Sequence, residues 1–183
     1  MITQTELDVI TAQMGKTPHG VQRVAARCSA SSIPGAGGGS GHPGVIVTYP
    51  LTKDSDPFPT LYWLTCPVLR ASISRLEMNG AITEIERAVN DDETLLARVR
   101  EDHRRYVADR FNELSDADRS LIEQSQMIEL FNERGIGGVA DWSRVKCLHA
   151  HYAHHLADEN AIGSMIEQRF GVRPCHGAPS HGT

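Results

Sequence analysis

Thr60-Leu61-Tyr62-Trp63-Leu64-Thr65-Cys66-Pro67 is where the chain changes character. Thr60–Leu64 is apolar and aromatic, which predicts a strand. Pro67 suits the first position of a helix, where its missing N–H costs nothing, so Thr65 or Cys66 falls at the cap. Leu69, Ile73 and Leu76 follow at helical spacing, and Gly80 suits the position after the helix end. Short strands and turn-rich segments precede this switch; amphipathic helices follow it. The expectation is an α+β fold: a small antiparallel sheet of about three strands packed against a mostly helical C-terminal two-thirds.

Working back from the switch, Leu51–Pro59 has turn chemistry in Lys53-Asp54-Ser55-Asp56-Pro57. Val45–Tyr49 is β-branched and ends at Pro50, and Val21–Arg27 reads as another strand. Connections without a crossover helix make the three strands antiparallel. Residues 29–44 are rich in Gly, Ser and Pro and predict a flexible hairpin connection. The run Gly37-Gly38-Gly39-Ser40-Gly41 lacks the Lys-Ser/Thr that completes a phosphate-binding P-loop. Thr3-Gln4-Thr5-Glu6 fits a capping box opening a helix over about 4–14, closed by Gly15.

Forward from the switch, Ala81–Asn90 and Asp92 to about Leu114 read as helices. The charges Arg98, Arg100, Glu101, Asp102, Arg104, Arg105, Asp109 and Arg110 predict a solvated face, and His103 a surface residue. Ser115-Asp116-Ala117-Asp118 opens a helix expected to run to about Asn132. Gly135–Val139 predicts a tight loop whose glycines permit close backbone approach. Ala161–Phe170 is a last helix ended by Gly171. Residues 1–170 thus form one domain and 171–183, with Cys175 and His176, a mobile tail.

Val145-Lys146-Cys147-Leu148-His149-Ala150-His151-Tyr152-Ala153-His154-His155 packs one thiol and four imidazoles into a short span. On a regular helix Cys147, His151 and His154 share a face at i, i+4 and i+7. His149 joins Cys147 only if the helix begins near Cys147, and His155 faces solvent. A tetrahedral ion needs about four donors. Cys66 and Cys28, beside strand ends, complete the candidate set Cys28, Cys66, Cys147, His149, His151 and His154. Zinc suits mixed thiolate and imidazole ligands; iron or an iron–sulfur cluster is the alternative. A hydrogen-bonded or surface role for these histidines competes with both.

At 183 residues the chain suits a single core, and its net charge of −5 argues against a nucleic-acid binder. The N-terminus lacks the pattern of a secretory signal and no apolar run suggests a membrane span, so a cytoplasmic protein without membrane contact is expected. The four cysteines are then expected to be thiols or metal ligands, and no pair has C-x-x-C spacing.

Arg27-Cys28, Pro57 through Pro67, Ser74-Arg75-Leu76-Glu77, Gly135-Ile136-Gly137-Gly138, Val145-Lys146-Cys147-Leu148-His149 and Ala153-His154 resemble the bacterial domain of unknown function 501 family, over about residues 5–170. Ser29–Gly41 departs from that pattern as an insertion. The resemblance implies a small bacterial protein with no established activity. It also implies a neighbourhood of septum-formation and exopolyphosphatase genes, as such members often look to have, and a position matching Cys66 that looks like histidine in some relatives.

Three functions are compatible with these residues. One is a metal-dependent hydrolase, with Glu77 or Asp141 as possible bases. Another is a non-enzymatic regulatory or assembly module tied to cell division or polyphosphate metabolism, engaging a protein partner and holding a structural metal or none. The third is a thiol enzyme in which Cys66, at a helix N-terminus that favours thiolate, pairs with a histidine from 149–154.

Overall fold

A computed structural model describes residues 2–28 and 41–174. Eight α-helices and one three-stranded antiparallel sheet occupy them, consistent with the expected α+β class. Helix α1 (Gln4–Met14) starts at the expected capping box: Thr3 accepts from the Glu6 N–H and the Glu6 side chain reaches back to the Thr3 N–H. Gly15, at φ 75°, ends it.

Strands β1 (Val21–Cys28), β2 (His42–Thr48) and β3 (Tyr62–Leu64) lie in that order, with β2 central. Val45 pairs with Leu64 and Val47 with Tyr62, while Cys28 pairs with His42. Every residue of β2 is buried, so both faces of the central strand are covered. The expected loop 29–44 is therefore shorter at its C-terminal end, because His42–Gly44 extend β2. Residues 29–40 lie outside the described part of the chain.

Helix α2 (Pro67–Met78) begins at Pro67 with Cys66 at its N-cap. Helices α3 (Ala81–Asn90) and α4 (Glu93–Asn112) follow, the latter capped by Asp92 accepting from Thr94 and Leu95 N–H groups. The single helix expected over 115–132 is two: α5 (Asp116–Glu123) and α6 (Met127–Glu133). Ser125 makes the break. Its hydroxyl donates to the Ile122 carbonyl at 3.0 Å and accepts the Met127 N–H at 3.2 Å, replacing helical bonds with local ones. A 3₁₀ turn over Ile136–Gly138 leads to α7 (Leu148–Ala157) and α8 (Ala161–Phe170). Residues 175–183 lie outside the described part.

The main core gathers around α7, which packs on β3, on α8 and on the sheet. Three surface expectations on α4 are corrected here. His103 and Arg110 are 0% exposed and Asp102 is buried. Val99, His103, Tyr106 and Arg110 recur at spacings of four, three and four, so they form the buried stripe of the helix. Each polar member has a local hydrogen-bond partner, although the buried His103 Nε2 has none among the described residues. His103 Nδ1 accepts the Ile136 N–H at 2.9 Å, Asp102 accepts the Ala161 N–H at 2.8 Å, and Arg110 donates to the carbonyls of Phe131, Arg134 and Pro59. Arg98, Arg100, Glu101 and Arg104 are exposed as expected. No helix among the described residues is long and apolar enough to cross a membrane.

Candidate metal centre

Cys147 has extended backbone angles, φ −148° and ψ 113°, and forms the N-cap of α7. The regular helix therefore begins one residue later than a face shared with His151 and His154 requires. His149 now turns toward Cys147, the alternative that depended on a late helix start. Gly137, at φ 71°, lies against Cys147, and a Cβ added there would meet the Cys147 Cβ at 3.7 Å. The left-handed backbone at that position is one a side chain rarely tolerates, so the glycine lets the loop turn close to the thiol.

Glu77, near the end of α2, completes the group. Its Oε1 lies 3.2 Å from His149 Nδ1 and accepts the Leu148 N–H at 2.7 Å. One ligand atom each from Glu77, Cys147 and His149 lie within 4.8 Å of one another, and all three residues are partly exposed. On the far side of the ring, His149 Nε2 is 3.2 Å from both the Arg70 carbonyl and the Ser74 hydroxyl. A carbonyl only accepts, so Nε2 carries a proton and Nδ1 faces the thiol and the carboxylate. The Cys147 hydrogen bond, followed by the Glu77 charge, raises the His149 pKa above its ordinary value against desolvation.

Cys147 and His149 open onto a cleft of about 700 Å³ between β3, α2 and the start of α7. Tyr62, Trp63 and Leu64 supply one wall, Pro67, Arg70, Ala71 and Ser74 another. Apart from Cys147 and His149 the surroundings are largely apolar, with Thr60, Arg70 and Ser74 as the polar exceptions.

The remaining expected ligands lie elsewhere. Cys28 and Cys66 contact each other, Sγ to Sγ 3.7 Å, in the buried core. His151 and His154 are buried under α4: the His151 ring lies edge-on to His103, and His154 lies between Tyr62 and Tyr106. His155, expected at the surface, has a side chain only 9% exposed, stacked on Tyr152 and accepting the Asn160 N–H at Nδ1. Gly163 makes this possible, since a Cβ there would fall 2.1 Å from the His155 ring. Asp141 accepts from Ser143 in an exposed turn.

A second group of three, Asp109, His154 and Asp158, also brings its ligand atoms within 4.8 Å. Asn160 argues against a cation there. Its Oδ1 accepts the Gly163 N–H at 2.6 Å, which fixes the amide, so Nδ2 donates to the His151 carbonyl and, at 3.0 Å, to His154 Nδ1. With Nδ1 accepting, the His154 proton sits on Nε2, and the atom nearest Asp158 has no lone pair for a metal. Burial lowers the His154 pKa to about 3 and that of His103 to about 4, and pushes His151 well down too. All three are neutral core residues at neutral pH.

The fold and this group define an α+β protein with a Cys/His/Glu group that could hold a metal beside a largely apolar cleft. The family described as protein of unknown function (DUF501) matches residues 37–168, most of the chain, and the chain belongs to that family. The match starts later than the expected residue 5, so α1 and β1, with Cys28, lie outside it. Glu77, Cys147 and His149 lie within it. No curated protein and no solved structure matches the chain.

Glu77 was legible only as a candidate base. The missed signal is the pair Ser74 and Glu77, one helical turn apart on α2, whose side chains both meet His149, while Arg70 one turn earlier contributes only its backbone carbonyl.

Proposed function

We propose that this protein is a metalloprotein, with zinc favoured over iron, whose ion is held by Cys147 Sγ, His149 Nδ1 and the Glu77 carboxylate, and that it supports hydrolysis in the adjoining cleft. The observation that carries the reading is the convergence of those three ligand atoms within 4.8 Å, beside a cleft that Cys147 and His149 line. The donor set fits the ion. Cysteine, histidine and glutamate are all zinc ligands, and three protein ligands leave a fourth position for water or substrate. The His149 ring is held as a metal-bound imidazole requires, with its second nitrogen donating to a backbone carbonyl. When bound, such an ion lowers the pKa of its water and polarises the bond to be cleaved.

The chain's own residues supply position and exclusion. Glu77 both faces the ion position and caps α7 through Leu148, which fixes where His149 starts its turn. Ser74 and Arg70 hold the imidazole plane from behind. Tyr62, Trp63 and Leu64 give the cleft an apolar wall that accepts an apolar portion of a substrate and sheds water.

A second reading rests on the raised His149 pKa, whose first cause is the Cys147 thiol. Cys147 would then act as nucleophile, with His149 as its proton partner and Glu77 as the orienting group. Cys66, at 0% exposure, is less suited to that role than Cys147.

Elemental analysis of tag-free protein separates the readings. The metal reading expects one zinc per chain, lost in Cys147→Ser and reduced in Glu77→Gln, with Cys147 alkylated slowly until a chelator is added. Metal-free protein with a Cys147 that alkylates far faster than free cysteine supports the thiol reading instead.

A further inference from the structure

The Cys28–Cys66 contact stands apart from the Glu77–Cys147–His149 group. The two sulfurs are 3.7 Å apart, neither is in a disulfide, and the residues are 3% and 0% exposed. They are brought together by the backbone. Cys28 is the last residue of β1, opposite His42 on β2. Two residues along β2, the Gly44 carbonyl accepts the N–H groups of Thr65 and Cys66, at 2.9 and 3.3 Å. Gly44 has no side chain to intrude; a Cβ there would already lie 3.5 Å from the Cys28 Cβ. Among the described residues, no third histidine, cysteine or carboxylate joins the pair in a ligand group. Two thiols in contact can form a sulfur–sulfur bond with no other group.

We propose that Cys28 and Cys66 are an oxidisable dithiol that closes to an intrachain disulfide, with hydrogen peroxide as the oxidant. The sulfurs must approach from 3.7 Å to a bond of about 2.05 Å, within reach of side-chain rotation and a small backbone shift. One sulfur, as thiolate, attacks a peroxide oxygen. The O–O bond breaks, the departing hydroxide takes the thiol proton as water, and a sulfenic acid remains. The second sulfur attacks the sulfenic sulfur; the S–O bond breaks and a second water leaves with the remaining proton. Two thiols and one peroxide give one disulfide and two waters, sulfur being oxidised and peroxide reduced. Burial selects a small oxidant, because larger disulfide reagents cannot reach either sulfur.

The cross-link ties the end of β1 to the N-cap of α2. That helix carries Arg70, Ser74 and Glu77, three residues that contact His149, so the bond acts on the framework of the cleft.

The test is a peptide map of the full-length reduced protein after stepwise addition of hydrogen peroxide and alkylation of remaining thiols in denaturant. The expected product is a Cys28–Cys66 linked peptide pair, lighter by two hydrogens, released by dithiothreitol and accompanied by a higher Tm. Cys28→Ser and Cys66→Ser should each abolish it while Cys147→Ser leaves it intact. The proposal is overturned if both thiols stay alkylatable, if either sulfur goes only to sulfinic acid, or if every linkage formed involves Cys147 or Cys175.

Discussion

Glu77 Oε1 receives two contacts at once, from the Leu148 N–H at 2.7 Å and from His149 Nδ1 at 3.2 Å. One carboxylate oxygen on α2 therefore starts α7 and orients the first imidazole on it. Cys66 and Pro67 fix where α2 begins and Gly137 lets the loop pass Cys147, so the Glu77–Cys147–His149 group is assembled from three separate segments.

That double contact separates two substitutions. Glu77→Gln keeps a side-chain oxygen for the Leu148 N–H, and its stability loss in urea unfolding should stay under about 1 kcal/mol. Glu77→Ala removes the cap as well and should cost about 1–2 kcal/mol. Equal losses from both would mean that the cap contributes nothing.

Asn160 offers a test of the buried histidine assignment. Its amide donates to His154 Nδ1, so nitrogen NMR of the wild-type protein should show His154 as the Nε2–H tautomer. Asn160→Asp keeps an oxygen for the Gly163 N–H but places an acceptor against Nδ1. The tautomer should invert and the His154 pKa should rise. A wild-type His154 protonated on Nδ1 would return Asp109, His154 and Asp158 to consideration as a cation site.

Acid should destabilise the protein through the same histidines. The folded-state pKa is about 4 for His103 and about 3 for His154, against 6.5 for the unconstrained side chain. Both states are neutral above pH 6.5, so these residues set no pH dependence there. As pH falls below 6.5 the unfolded chain takes up protons that the folded chain refuses, and stability drops until the folded pKa values are reached. At pH 5 each contributes a loss of about 2 kcal/mol. Urea midpoints measured from pH 7.5 to 4.5 should fall in this window, and His103→Gln should flatten the slope. A flat wild-type profile contradicts the assignment.

Arg110 should tolerate almost nothing. It is fully buried, and its guanidinium donates to three carbonyls: Phe131 at 2.7 Å, Arg134 at 2.5 Å and Pro59 at 3.2 Å. Arg110→Met removes the Arg110 donor from all three, leaving only the Tyr106 hydroxyl on Pro59, and should cost about 3 kcal/mol. Arg110→Lys, a point charge without the planar fork, should recover less than half of that. Circular dichroism under urea checks both.

Local physics was readable residue by residue. The Thr3–Glu6 capping box, Pro67 at the start of α2 and Gly171 at the end of α8 all act through backbone geometry that the residue type dictates. The errors arose where tertiary packing overrode residue type. His103 and Arg110 look like surface residues by charge, yet their spacing from Val99 and Tyr106 puts them in the stripe that faces α6 and the 3₁₀ turn. Gly135 marks the first of these contacts, because a Cβ there would fall 2.2 Å from His103 Nδ1. The Cys147–His149 pairing depended on a one-residue choice of helix start, which periodicity cannot fix. The Cys28–Cys66 contact spans the 29–40 segment and could not be read from spacing at all.

X-ray absorption at the zinc edge on tag-free, zinc-loaded protein tests the central claim most directly, because the ligand count is set by which cysteines are near the ion. Cys147, His149 and Glu77 predict one sulfur at about 2.3 Å and nitrogen or oxygen ligands at about 2.0–2.2 Å, the sulfur shell vanishing in Cys147→Ser. Two or more sulfurs, or a sulfur shell that survives Cys147→Ser and disappears in Cys66→Ser, would contradict it.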